Sequence, residues 1–490
     1  MSGLLERIKN VAIQQAARMA FSGGSRSMTY RELWGRANLL AGEIDKLNSP
    51  VGLPVGIRGH KEPEMFVGFL GTVLAGRAYI PLDMSMPTAR VERIIATAEP
   101  LAVFTTEEIS LLTDDWETAP ERGISKSDPE DAFYIMFTSG STGDPKGVVI
   151  THGCMMAFVD WMLAEQNLAH GKETFLNQVP LSFDLSVMDN YISIFTGGSV
   201  VALTRDDIAN PRELYAKLRS SKTTVWVSTP SFAQMCLAEK SFNAEMLPEL
   251  RRFLFCGETL AHKTASTLLQ RFPGAEIWNT YGPTEATVAT TSVRVDAEML
   301  AKHDPLPIGY QMPGTRVVIK RPDNTLAPDG ESGEITIIGP NVSPGYLKRA
   351  DLTEKVFFIE DGQRGYRTGD KGYAKDGLFY FQGRLDFQIK LRGHRIELGD
   401  VEAHLREVDG IVDAVVLPVE RRGAIDSLAA FVVTRELVGD NSFTAAQTLR
   451  KALAAKIPEY MIPRRIDFLD AFPLTENGKA DRKALAARLA

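Results

Sequence analysis

The sequence predicts an α/β protein of mixed α+β character, with a large N-terminal domain of βα layers and a small α+β domain at the C-terminal end. Three observations carry this. Short apolar runs alternate with longer amphipathic stretches through the first half; a turn-rich alternating section lies near residue 340; a compact α+β pattern closes the chain. "LAVFTT" (101–106), "VWVST" (225–229), "FLFCG" (253–257) and "IWNTYG" (277–282) read as buried strands. "AHKTASTLLQRF" (261–272), between the last two, reads as the crossover helix of a βαβ unit. "RVVIKRPDNTLAPDGESGEITIIG" (316–339) alternates strands with Pro, Gly and Asp turns, the pattern of antiparallel pairing. "DAVVLPV" (413–419), "SLAAFVVT" (427–434) and "AAQTLRKALAAKI" (445–457) supply strands and a helix for the last part. The polar stretch "ERGISKSDPED" (121–131) reads as a surface connection.

At 490 residues the chain exceeds one ordinary hydrophobic core, and 44% hydrophobic content can fill more than one. Lys and Arg number 55 against 62 Asp and Glu, a formal net charge of −7, which argues against nucleic acid or an anionic membrane surface as the main partner. No run approaches a membrane span and the opening residues carry charges and glutamines, so no membrane insertion is expected and a cytoplasmic protein is. The three cysteines, Cys154, Cys236 and Cys256, form neither a disulfide framework nor a metal spacing. A small-molecule ligand is the expectation that remains.

"TSGSTGDPKG" (138–147) gathers hydroxyls, glycines and a lysine. Backbone N–H groups freed by glycine can cradle an anion, and the lysine adds a full charge. The Walker pattern is not met, because Lys146 is followed by Gly147 and Val148 rather than Ser or Thr. Glycine and serine alone suit a linker equally, but apolar runs on both sides and the embedded Pro145-Lys146 favour a phosphate loop.

This loop is followed in order by "SFDLSVMD" (182–189), "NTYGPTEATV" (279–288), "YRTGD" (366–370), "GRLDFQIKLRGHRIEL" (383–398) and "LTENGKADRK" (474–483), and preceded by "MTYREL" (28–33) and "LAGRAYIPLD" (74–83). Together they resemble the core motifs of the adenylate-forming superfamily, which holds acyl-CoA synthetases, luciferases and the adenylation domains of peptide synthetases. Within it, "SFDLSVMDNYISIFTGG", "STPSFAQMC", "FLFCGETL" and "GRLDFQIKL" look most like the D-alanine:D-alanyl carrier protein ligases. The resemblance implies a large domain over 1–385 that includes a small β-barrel-like section, a mobile domain over 386–490, and a hinge near Asp386. It implies ATP and Mg²⁺ as cofactors, D-alanine as substrate, and a discrete phosphopantetheinylated carrier protein as partner, for D-alanylation of teichoic acid or a related acceptor.

By the same resemblance Thr138, Ser139, Gly140, Ser141, Thr142 and Lys146 hold ATP phosphates. Asn279 bonds the adenine and Tyr281 stacks on its face, with Thr280 and Gly282 also in the ATP site. Thr284 meets the α-phosphate, Glu285 helps hold Mg²⁺, and Asp370 and Arg384 take the ribose. Lys479 reaches the carboxylate and nucleotide oxygens during adenylation. Asp184 pairs with the substrate ammonium, and Leu185, Met188, Leu254, Cys256, Gly257, Thr280, Val288 and Ala289 line a small pocket in which Cys256 favours the D-enantiomer.

Each residue also has a plainer reading. A Gly-Pro turn with Thr and Glu at the start of a helix accounts for "GPTE". Asp184 stands where a helix N-cap belongs. Cys256 suits a buried small hydrophobe, and Asp370, Asp386 and Lys479 suit solvated loops. A stand-alone peptide synthetase enzyme for glycine or a small L-amino acid is the alternative function; no carrier motif follows Lys479, which points to a separate carrier.

Overall fold

The computed structural model describes residues 3–50, 52–118, 127–139, 144–168, 170–391, 393–421, 424–434, 442–474 and 480–489. The chain divides into two compact units. The first comprises residues 1–83, 98–136 and 147–385; the second gathers residues 84–97 and 137–146 with 386–490.

Two βα sheets and one antiparallel sheet build the first unit. In the larger, nine strands run in the order Tyr310–Gln311, Thr291–Arg294, Glu276–Tyr281, Arg252–Phe255, Val225–Ser228, Thr174–Asn177, Ser199–Ala202, Met19–Gly23, Arg26–Thr29. The interior pairs are parallel and the edges antiparallel. Helix His262–Arg271 connects Arg252–Phe255 to its parallel neighbour Glu276–Tyr281, the predicted βαβ unit. Parallel strands covered by helices on both faces need apolar side chains in both directions, hence the near-continuous runs VWVS and RFLF. A second sheet runs Gly345–Tyr346, Lys146–Thr151, Ala132–Thr138, Tyr79–Asp83, Val55–Gly59, Ala102–Thr105.

The predicted antiparallel section is present, with Arg316–Lys320 paired to Gly333–Ile338. It is not barrel-like. The strand Gln363–Lys375 pairs with Gly333–Ile338, Phe357–Glu360 and Leu378–Arg384 along different stretches of its length, so three strands of this five-stranded sheet share one long partner and the sheet stays open. Among the described residues no closing pair is formed, which corrects the expectation of a barrel.

In the second unit, strands Ile411–Arg421, Ala424–Thr434 and Arg465–Leu469 form a sheet beside the hairpin of Gln388–Leu391 and His394–Glu397. Helices Leu398–Arg406 and Ser442–Ala454 enclose a core of Ile396, Val401, Leu405, Val416, Val432, Leu449 and Leu453. No helix among the described residues is long and apolar enough to cross a membrane.

Candidate active site

Three of the residues predicted on separate motifs meet in the first unit: Tyr281 and Arg384 at the ends of their strands and Asp370 within a longer one. Asp370, on Gln363–Lys375, is directly opposite Arg384 on Leu378–Arg384 in the antiparallel register. Arg384 donates to Asp370 Oδ1 at 2.7 Å and to the Thr368 carbonyl at 2.8 Å. The Tyr281 hydroxyl donates to the other carboxylate oxygen. Burial first, and then the Asp370 charge beside it, push the Tyr281 phenol well up from its ordinary value, so it stays a neutral donor. Asn279 and Thr280 turn inward to backbone: Asn279 Nδ2 donates to the Pro307 carbonyl and Thr280 Oγ1 to the Phe255 carbonyl, each at 2.8 Å. Gly282 is required sterically, since a Cβ there would lie 2.6 Å from the Ala289 Cα.

Thr284–Ala286 forms a short 3₁₀ turn after Pro283, so the Gly-Pro turn and the presentation of side chains coexist. Glu285 is fully buried and its Oε1 accepts from the Tyr346 hydroxyl at 2.8 Å.

Asp184 stands at the N-cap of helix Leu185–Thr196, yet its side chain makes no capping hydrogen bond. Its φ of −60° and ψ of −26° are already helical, whereas a capping Asp adopts extended backbone. The carboxylate is buried and its charge is felt by Tyr134, whose phenol is pushed well up, first by burial and then by Asp184. The Tyr134 hydroxyl is itself buried without a hydrogen-bond partner. Leu185, Met188, Leu254, Cys256, Val288 and Ala289 all join one buried apolar cluster, with Phe183 packed against it. The Cys256 thiol donates to the Val288 carbonyl at 3.5 Å. Gly257 has φ +90°, and a Cβ added there would sit 3.5 Å from the Phe183 ring.

The remaining predicted residues belong to the second unit or lie outside the described residues. Ser139 Oγ donates to the Arg395 carbonyl at 2.9 Å and accepts from Glu397 N–H at 3.3 Å. Lys146 Nζ is 3.6 Å from Glu397. Thr138 Oγ1 is buried without a partner, and Asp386, exposed, accepts from Gln388 N–H. Gly140, Ser141, Thr142 and Lys479 lie outside the described residues.

The sequence reading missed a buried ionic cluster behind the helix that Asp184 precedes. Lys61, 2% exposed, donates to the Asn177 side chain and to the Val179 carbonyl at 2.6 Å; Asn177 Nδ2 donates to both oxygens of Asp189 at 3.0 Å. Burial pulls the Lys61 amine down to about 7, against the opposing pull of Asp189 and Asp83. Burial likewise drives the Asp189 carboxyl well up. A lysine beside "EPEMFVGFLG" and an aspartate inside "LSVMDNYISIF" were the available signals.

Known proteins resemble the chain along most of its length. The family model described as AMP-binding enzyme matches residues 8–347, and its C-terminal domain model matches 400–479. The chain is 44% identical to a D-alanine–D-alanyl carrier protein ligase of Bacillus mycoides over 99% of each chain, and 45% identical to one of Bacillus anthracis over 99% of each. Among solved structures it resembles the Vibrio cholerae adenylation domain AlmE in complex with glycyl-adenosine-5'-phosphate (TM-score 0.84, 23% identity, 99% of this chain and 97% of that one). It also resembles holo-PA1221, a protein containing adenylation and PCP domains (TM-score 0.81, 25% identity, 99% and 84%). With family models spanning most of its length and full-length relatives at this identity, the chain belongs to the AMP-binding enzyme family.

Proposed function

We propose that the protein joins D-alanine to AMP with release of pyrophosphate and then passes the D-alanyl group to the phosphopantetheine thiol of a discrete carrier protein. The observation that carries this reading is full-length identity of 44% to D-alanine–D-alanyl carrier protein ligases. The buried Asp184 carboxylate, next in sequence to the apolar cluster that holds Leu185, Met188, Cys256 and Val288, supports it, since an amino acid brings an ammonium that needs an anion once water is excluded.

In the first step a D-alanine carboxylate oxygen bonds to the α-phosphorus of ATP and the bond to pyrophosphate breaks. A carboxylate is already anionic at neutral pH, so no general base is needed and charge placement does the work. Thr284 and Lys479 meet the charge that develops on the reacting oxygens; Thr138 through Thr142 and Lys146 take the departing phosphates. Asp370 and Arg384 hold the ribose, and Asn279 and Tyr281 the adenine, with Thr280 and Gly282 also in the ATP site. In the second step the carrier thiol attacks the acyl carbon, AMP leaves, and a thioester remains.

The residues present fit a nucleotide-borne Mg²⁺. Glu285 offers a hard carboxylate oxygen, the donor type a hard cation takes, buried and oriented by the Tyr346 hydroxyl. Bound there, Mg²⁺ would neutralise phosphate charge.

The proposal extends to a boundary between 1–385 and 386–490 with a hinge at Asp386, to a cytoplasmic location, and to teichoic acid or a related final acceptor. It is tested by incubating the protein with ATP and D-alanine and offering either a phosphopantetheinylated carrier or coenzyme A. Acylation of the carrier with little coenzyme A thioester is expected; equal transfer to both would remove the carrier protein from the account.

A further inference from the structure

Val288 occupies a backbone conformation that its side chain disfavours. Its φ is +68° and that of Thr287 is +55°, so two consecutive β-branched residues lie in the left-handed region. The Ala289 N–H donates to the Thr287 carbonyl at 2.8 Å, closing a three-residue γ-turn about Val288 of the rare, strained kind with positive φ. The turn backbone is seated against Gly282, where a Cβ would stand 2.9 Å from the Val288 carbonyl, and that carbonyl accepts the Cys256 thiol. Such a turn persists only where its surroundings over-determine it.

Asn341 supplies that constraint. Fully buried, it donates from Nδ2 to the Ala286 carbonyl at 2.8 Å and to Thr290 Oγ1 at 3.1 Å, one on each side of the turn. Its backbone carbonyl accepts from Thr287 Oγ1 at 2.7 Å, and its Oδ1 accepts from Thr315 Oγ1 at 2.8 Å, which fixes the amide orientation. Three of the five residues Ala286–Thr290 are thereby tied to one asparagine. We propose that Asn341 is a positioning residue for substrate selection: it holds Val288 in its strained turn, and the turn holds the Cys256 wall of the amino-acid pocket closed to side chains larger than methyl. This rests on the assignment of that pocket to the amino acid.

The test is a double-mutant cycle read as substrate selection. Pyrophosphate exchange is measured with D-alanine and with D-2-aminobutyrate, one methylene larger, for wild type, Asn341→Ala, Val288→Gly and the double variant. Glycine adopts positive φ without strain, so the clamp becomes redundant in that background. Asn341→Ala is expected to lower the kcat/KM ratio of D-alanine to D-2-aminobutyrate by about tenfold, the scale of one methylene in a fitted pocket, and by less than about threefold when Val288 is already glycine. A common decline for both amino acids with the ratio unchanged, or the same ratio change in both backgrounds, overturns the proposal. If Asn341→Ala does not fold, Thr315→Val frees the amide orientation and must shift the ratio in the same direction. Should the wild type prefer another amino acid, the substrate reading fails by itself; the cycle run with that amino acid and its next larger homologue then still decides the role of Asn341.

Discussion

Asp370 and Arg384 face each other across an antiparallel pair, with Arg384 2.7 Å from Oδ1 while Tyr281 holds the other oxygen from a different sheet. The carboxylate is thus fixed from two sides before a nucleotide arrives. Preorganisation of this kind lowers the ordering cost of binding.

Arg384→Ala should therefore raise the KM for ATP by roughly 10- to 100-fold, the scale of a lost charge-assisted hydrogen bond of about 1.5–3 kcal/mol, with the amino-acid KM nearly constant. Steady-state kinetics with each substrate varied in turn checks this. An equal rise in both constants would mean that the pair supports the fold rather than the nucleotide.

Asp184→Asn should raise the amino-acid KM on the same scale of about 10- to 100-fold and leave the KM for ATP alone. Its side chain caps no helix N–H, so thermal stability should change little. A large fall in Tm with unchanged amino-acid KM would return Asp184 to a structural role.

Cys256→Ala should relax stereoselectivity by admitting L-alanine. The thiol meets the Val288 carbonyl inside the apolar cluster, and a volume change of this size is typically worth about 1–3 kcal/mol, or roughly 10- to 200-fold in kcat/KM. The cavity left should cost about 1 kcal/mol of stability. Equal decline for D- and L-alanine, measured as kcat/KM, would leave Cys256 as core packing.

His152 yields a pH prediction. Buried at the first position of helix His152–Gln166 with its ring edge-on to Phe133, its pKa is lowered by burial from 6.5 to about 4, partly opposed by Asp131. The folded state therefore binds fewer protons than the unfolded state between these values, and stability from this group is present above about 6.5 and lost as pH falls through about 4. Denaturant unfolding at pH 7 and pH 4 should show His152→Gln losing up to about 3 kcal/mol less than wild type on acidification. Identical losses would contradict a neutral buried imidazole.

Much of this site was legible because its residues sit in short contiguous motifs. "IWNTYG" reads directly as a strand ending in polar side chains; the motif "YRTGD" singled out Asp370, though not its place within a long strand, and Asp370, Arg384 and Tyr281 do converge. What stayed hidden depends on distant pairing or on conformations that oppose propensity. Lys61 meets Asn177 across 116 positions with no motif to announce it. The Val288 turn places a β-branched residue at positive φ, which no propensity argument would select, and Asn341 becomes meaningful only beside it. The expected barrel failed for a related reason: alternation reveals strands but not that one of them, Gln363–Lys375, serves three partners in an open sheet.

The central claim is tested most directly by amino-acid-dependent ATP–pyrophosphate exchange with D-alanine, L-alanine, glycine and D-serine in parallel. Exchange with D-alanine well above the other three is the predicted result. Preference for glycine or L-alanine would contradict it and mark the protein instead as a stand-alone adenylation enzyme for a small amino acid of the other kind.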